Sequence, residues 1–137
     1  MSETTNPLLN AVTHMESTAF RAGQVARRVL TEHPHLTMRN ASAGLYAFAY
    51  QDGELDTQAE LTVRVDGTDQ VAAWAQALAS EPEAKTQETD GHAYETSVCM
   101  ATVDGVAVQV SGARRLTDEE AAAWRTRQAA AAEGGEG

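Results

Sequence analysis

The chain has 137 residues, which is enough for one domain with a single hydrophobic core. Its formal net charge of −10 disfavours nonspecific binding to nucleic acid or to an anionic membrane, and the sequence holds no run of 18 apolar residues that could span a bilayer. Nine arginines against one lysine, together with 26 alanines and no isoleucine, are typical of a GC-rich genome, so we expect the source to be an actinobacterium or its phage.

A long amphipathic helix is predicted at the N-terminus. Asn6 can accept hydrogen bonds from free N–H groups as an N-cap, Pro7 favours the first helical position, and Pro34 predicts an end near His33. Apolar residues recur in four-three spacing at Leu8, Val12, Met15, Ala19, Ala22, Ala26 and Val29. This seam predicts a helix laid across a sheet or another helix, with a dimeric coiled coil as the alternative.

Two alternating strands are predicted after a polar loop. Asp52-Gly53 fits a two-residue type I′ turn, which would pair Phe48 with Thr57. Tyr46 and Tyr50 would then join Phe48 on the face that the apolar residues of the second strand occupy. The sequence therefore predicts that these aromatic rings belong to the core.

A second, shorter helix is predicted after these strands. Its helical spacing is carried by Val71, Trp74, Ala75 and Leu78. Thr68 is its expected cap, and Pro82 lies beyond its end. This helix is expected to pack through Trp74.

The C-terminal half is predicted to form a long hairpin and a last helix. Residues 84–89 are polar and fit either an edge strand or a loop, whereas a long strand begins at Ala93 and turns at Asp104-Gly105. Thr117 and Glu120 form a capping box that starts the last helix.

These elements predict one α+β domain over residues 1–132, followed by a disordered tail at 133–137. A mainly antiparallel sheet of four to five strands would be covered on one face by a long N-terminal helix, a crossover helix and a C-terminal helix.

The only cysteine is predicted to be structural. A tight turn at Asp104-Gly105 pairs Cys99 with Val110, and side-chain parity then directs the thiol inward. No neighbouring residue in the sequence supplies a cation that would lower its pKa. His33 and His35 lie in a loop without the spacing of a zinc tetrad. We therefore predict no catalytic residue, no metal site and no cofactor.

The predicted partner-binding residues are four arginines and one tryptophan. The arginines make residues 21–39 net positive, with only Glu32 opposing them, and the tryptophan is the single large anchor of the last helix. These residues are Arg21, Arg27, Arg28, Arg39 and Trp124.

The sequence predicts a small noncatalytic, cytoplasmic binding or regulatory protein, an accessory product of an actinobacterial phage or mobile element. A protein partner is expected, no membrane is involved, and a homodimer remains open. The alternative is an acidic nucleic-acid-related regulator. It would act as a DNA mimic through carboxylates between Asp52 and Glu95, or contact nucleic acid directly through the arginines of residues 21–39.

Overall fold

The computed structural model describes residues 6–134, with side chains through residue 133. Residues 1–5 and 135–137, including most of the predicted tail, lie outside the described residues. The elements in chain order are α1 (Pro7–Glu32), β1 (Asn40–Ala49), β2 (Leu55–Asp66), α2 (Gly67–Ala77), β3 (Glu83–Thr89), β4 (His92–Val103), β5 (Val106–Arg115) and α3 (Asp118–Gly134). The predicted α+β class is confirmed.

The five strands form one mixed sheet in the order β1-β2-β5-β4-β3. Only the central pair, β2 and β5, is parallel; the other pairs are antiparallel. Residues 84–89 belong to β3, so the edge-strand alternative is the correct one. Asp90-Gly91 and Asp104-Gly105 both have positive φ at each residue, as a two-residue type I′ turn requires.

The ends of α1 lie where the sequence predicts them. The Asn6 side-chain oxygen accepts from the N–H groups of Leu8 at 2.9 Å and Leu9 at 3.2 Å, and Pro7 occupies the first turn. The predicted seam is only half right, because the buried line runs through Thr18, Ala22, Val25 and Val29. The first half of the seam is exposed, because it is rotated by about one residue from the line that meets the sheet. That line continues toward the N-terminus through His14, Ala11 and Pro7, which are half-buried.

The predicted register of the β1-β2 hairpin is wrong by one residue. Phe48 lies opposite Asp56, because the Tyr50 N–H donates to the Glu54 carbonyl at 2.9 Å and three residues form the loop instead of two. Gly53 supplies the positive φ of +90° that this loop needs. A shift of one residue exchanges the faces of a strand. The aromatic residues therefore point away from the helices, and Leu45 takes the inward position.

Helix α2 packs closely on β5. Asp66 occupies its N-cap position, so the expected cap at Thr68 is wrong. Val71, Trp74 and Ala75 are buried as predicted, and the Trp74 Nε1–H donates to the Thr37 carbonyl at 2.8 Å.

Helix α3 begins at the predicted capping box. The Thr117 N–H donates to the Glu120 carboxylate at 2.9 Å, and the Glu120 N–H donates to the Thr117 hydroxyl at 3.1 Å. The helix touches the sheet through a small cluster of Ala93, Leu116, Ala121 and Trp124. Strand parity places this cluster on the face that α1 and α2 cover, so the opposite face of the sheet carries no helix among residues 6–134.

Candidate interaction surface

The four arginines of the predicted binding surface do not come together as one patch. Arg28 forms an ion pair of 2.8 Å with Asp104, and the Arg21 guanidinium lies beside Gly105 in the same turn. Arg27 folds back over Gly23 of its own helix. Arg39 lies at the start of β1, where its nearest carboxylate is Asp66 at 3.9 Å. The structure thus separates Arg39 from the arginines beside the β4-β5 turn.

Trp124 packs against the protein rather than standing free on α3. It is half-buried against the cluster of Ala93, Leu116 and Ala121. The residues of α3 from 125 to 133 are exposed, and large apolar side chains are lacking among them. The exposed face of α3 therefore offers a partner no large apolar anchor.

An ionic cluster ties α3 to the sheet. Arg114 donates to Glu95 at 2.9 Å and to both carboxylate oxygens of Glu120, at 3.0 and 3.1 Å. The hydrogen bonds from Arg114, with help from the Thr117 N–H, lower the pKa of Glu120 to about 2. Arg125 adds an ion pair to Glu88 at 3.0 Å. Glu88 and Glu95 are thus used inside the molecule.

Cys99 lies inside the core, opposite Val110, as predicted. It is only 1% exposed, and burial raises the pKa of its thiol, an effect that a backbone hydrogen bond from Val110 partly offsets. A nucleophilic thiol needs the reverse shift. His33 and His35 approach each other edge to face, with ring centroids 6.0 Å apart. Within residues 6–133 no group of three or more His, Cys, Asp or Glu side chains is arranged to hold a metal ion.

The exposed apolar side chains concentrate at one edge of the sheet. Eleven large ones are exposed among the described residues, and ten of these belong to α1, to its connection to β1, or to β1 and its turn. They are Leu8, Leu9, Val12, Met15, Phe20, Leu30, Met38, Tyr46, Phe48 and Tyr50, and we call this surface the α1–β1 edge. Leu9 and Phe20 lie on the outer side of α1, and the three rings lie on the face of the sheet away from the helix. The eleventh, Met100, lies on β4.

The geometry of α1 explains why its apolar stripe lies at this edge. At 100° per residue, Leu8, Val12 and Leu30 are rotated by roughly 70–110° from the buried line of the helix, all to the same side. Arg28 is rotated to the other side, where it reaches Asp104 between β4 and β5. We call Leu8, Val12 and Leu30 the apolar stripe of α1, and it faces outward past β1.

A groove opens between the stripe and the sheet. Its volume is about 280 Å³, and its walls include Ala26, Leu30, Met38, Ala41 and Leu61. At the other end of the helix, Leu8 lies beside Phe48 in a shallower depression. Both ends of α1 thus have apolar side chains beside β1.

The two edges of the sheet differ in how they are protected. β3 carries Glu83, Lys85 and Glu88 and follows Pro82. Such charges and prolines are the usual means of preventing an edge strand from pairing with another chain. β1 is ten residues long and has neither a charge nor a proline. Only β1 is therefore open to pairing.

Sequence reasoning missed this surface because it placed the aromatic rings in the core. One signal was present in the sequence, because the stretch from Asn40 to Ala49 lacks charge although 22% of the chain is charged. A second signal was the position of Gly53. It also fits the last position of a three-residue loop that is closed by Tyr50 and Glu54.

Comparison with family models and with curated proteins finds no match to this chain. None of the helices within residues 6–134 combines the length and the apolar character needed to cross a membrane.

Proposed function

We propose that the protein is a noncatalytic protein-binding module that acts through the α1–β1 edge. The observation that carries this proposal is the concentration of ten of eleven exposed large apolar side chains on that surface. Single exposed apolar groups scattered over a surface are normal, but ten of them on adjacent elements at one edge of the sheet favour an interaction site. Aromatic residues and methionine are also the types enriched in interfaces.

The noncatalytic part of the proposal is supported by the position of the thiol. Cys99 is enclosed by the core and its pKa is raised, so it lacks the exposure and the activation that a nucleophile needs. The composition supports an accessory role in an actinobacterium or its phage, and the charge of −10 agrees with a cytoplasmic protein that stays soluble.

The nucleic-acid alternatives receive less support. Direct contact would need the arginines to share a surface, but Arg28 is paired with Asp104 and Arg39 lies apart from it. Mimicry would use the carboxylates between Asp52 and Glu95, but two of these, Glu88 and Glu95, are engaged in ion pairs within the molecule.

Affinity capture from the native host tests the proposed surface with matched variants. The double variant Leu8→Glu/Val12→Glu places charges on two exposed positions of the stripe, and Met100→Glu places one on an exposed position far from it. We expect a protein retained by the wild type and by Met100→Glu to be lost from the double variant. Retention by the double variant, with loss on Arg21→Glu/Arg28→Glu or on Trp124→Ala, would assign binding to another surface.

A further inference from the structure

The outward side of β1 is a row of backbone groups ready to pair. Tyr50 donates to Glu54 across the hairpin, and hydrogen-bonded pairs recur at every second residue of an antiparallel ladder. The even-numbered residues of β1 therefore bond to β2. The N–H and C=O groups that point away from the sheet belong to Ala41, Ala43, Leu45, Ala47 and Ala49.

We infer that a second copy of the chain covers the α1–β1 edge, with the two β1 strands paired antiparallel about a two-fold axis at Leu45. This inference rests on the proposed function, since it names the first partner of the same surface. In this arrangement Ala43 faces the partner's Ala47, and Ala41 faces the partner's Ala49. The outward N–H and C=O groups of all five odd-numbered residues of β1 are then paired. The two five-stranded sheets become one continuous sheet.

When two copies of β1 run antiparallel, the small side chains of one copy lie opposite the large side chains of the other. On the face away from the helices, the first half of the strand carries small residues and the second half carries large rings. The two-fold axis places Tyr46 opposite the partner's Gly44, and Phe48 opposite the partner's Ser42. The position that a Cβ would take on Gly44 has no atom within 4 Å, so there is room for a ring. This match favours a second copy over an unrelated strand.

The helices are also placed to meet. Helix α1 contacts both β1 and β2, so its axis lies about 5 Å from the proposed two-fold axis if strands are about 4.8 Å apart. The two copies of α1 would then be about 10 Å apart, which is the upper end of normal helix packing distances. Their apolar stripes face each other, and the Leu30 end of one lies near the Leu8 end of the other.

The chain exposes more surface than a compact monomer of its mass would, which leaves area for a contact with a second copy. The chain exposes 9138 Å², whereas a compact monomer of its mass is expected to expose about 6,900 Å². Part of the difference belongs to α3, whose residues beyond Trp124 are exposed. A standard interface needs about 800 Å² from each partner, which is less than the whole difference.

Light scattering on the purified chain, combined with a proline variant, tests this inference. We expect the wild type to have twice its chain mass of 14.6 kDa. Ala43→Pro removes an outward N–H that takes no part in the bond to β2, so it should give a folded monomer with an unchanged circular dichroism spectrum. A wild type that stays monomeric over a dilution series, or a folded Ala43→Pro that stays dimeric, would overturn the inference.

A pair of charge variants tests the register even if the proline variant does not fold. Ser42→Glu/Phe48→Glu places like charges opposite each other across the two-fold axis and should give a monomer. Ser42→Lys/Phe48→Glu places opposite charges there and should remain a dimer. The same mass for both variants would refute the register. A monomeric wild type whose α1–β1 edge still retains another protein would refute only the dimer, whereas a monomer without such retention would refute the proposed function as well.

Discussion

Two glycines of the sheet, Gly112 on β5 and Gly44 on β1, differ in the space available for an added methyl group. A Cβ on Gly112 would lie 2.6 Å from the Gly67 carbonyl oxygen and 3.0 Å from a methyl of Val71. Its absence lets the N-terminus of α2 lie directly on β5. Gly44 on β1 has open space at the same position.

We expect Gly112→Ala to lower the free energy of unfolding by about 2 kcal/mol, since a backbone atom cannot move aside cheaply. Gly44→Ala is the matched control. When both substitutions are made in the Ser42→Glu/Phe48→Glu background, which is expected to be monomeric, Gly44→Ala should change this free energy by less than about 1 kcal/mol. Denaturant unfolding at one protein concentration, followed by tryptophan fluorescence, measures both. Equal effects of the two substitutions would contradict the close packing of α2 on β5.

The thiol of Cys99 should react only when the protein unfolds. It is 1% exposed and burial raises its pKa, so both access and thiolate content are low in the folded chain. We expect labelling by an aromatic disulfide to be slow in buffer and complete in denaturant. Rapid stoichiometric labelling of the native protein would show that the thiol is accessible, and the noncatalytic proposal would lose its main support.

At the scale of elements, α3 depends on few contacts. Its apolar cluster holds a single large residue, Trp124, and the ionic contacts of Arg114 and Arg125 supply the rest of the links described above. The attachment of α3 should therefore respond to pH more than the attachment of α1 and α2, which rests on the apolar core.

The variant Glu120→Gln removes the negative charge that pairs with Arg114 but keeps the capping box, because glutamine can replace glutamate in the hydrogen bond with Thr117. The pKa of Glu120 is lowered in the folded state to about 2 from 4.5. Its contribution to stability is thus present above pH 4.5 and is lost as the pH falls toward 2. We expect the difference in unfolding midpoint between wild type and variant to shrink over this range, and a constant difference would contradict the assigned role.

The β1-β2 hairpin shows how one loop residue decides the character of a surface. With two loop residues, Tyr46, Phe48 and Tyr50 would enter the core, but with three they face solvent. The Tyr46 hydroxyl then donates to Asp56 at 2.8 Å, which orients the ring on the exposed face. The interaction surface is therefore a consequence of turn geometry.

At the scale of the whole molecule, charge and apolar surface are separated. The net charge is −10, yet β1 carries none of it, and Arg28 is paired with Asp104 at the β4-β5 turn. This separation favours contacts with proteins and opposes contacts with polyanions.

We accordingly expect no retention on double-stranded DNA, even at low salt. Repulsion from the acidic chain should dominate, because counterion release needs several cations on one surface. Electrophoretic mobility of a labelled duplex at two salt concentrations measures this. Binding that weakens with salt and disappears in Arg21→Glu/Arg28→Glu would instead support direct contact through the arginines.

The sequence by itself determined the order of the elements and most of their ends. Asn6 with Pro7, the Asp104-Gly105 turn and the Thr117-Glu120 capping box are local signals, since each is satisfied by hydrogen bonds or dihedral angles within a few residues. The inward position of Cys99 followed from such a turn. These predictions needed no knowledge of the rest of the chain.

Only the tertiary structure decided which apolar residues are buried. The seam of α1 repeats evenly along the helix, but in the N-terminal half the line that meets the sheet is displaced from it by about one residue. Ala22 and Val29 are therefore buried, whereas Leu8 and Val12 are exposed. The face of Phe48 likewise depended on a register that two different loops could satisfy. Burial is a property of what lies opposite a residue, and that is set by packing between elements distant in sequence.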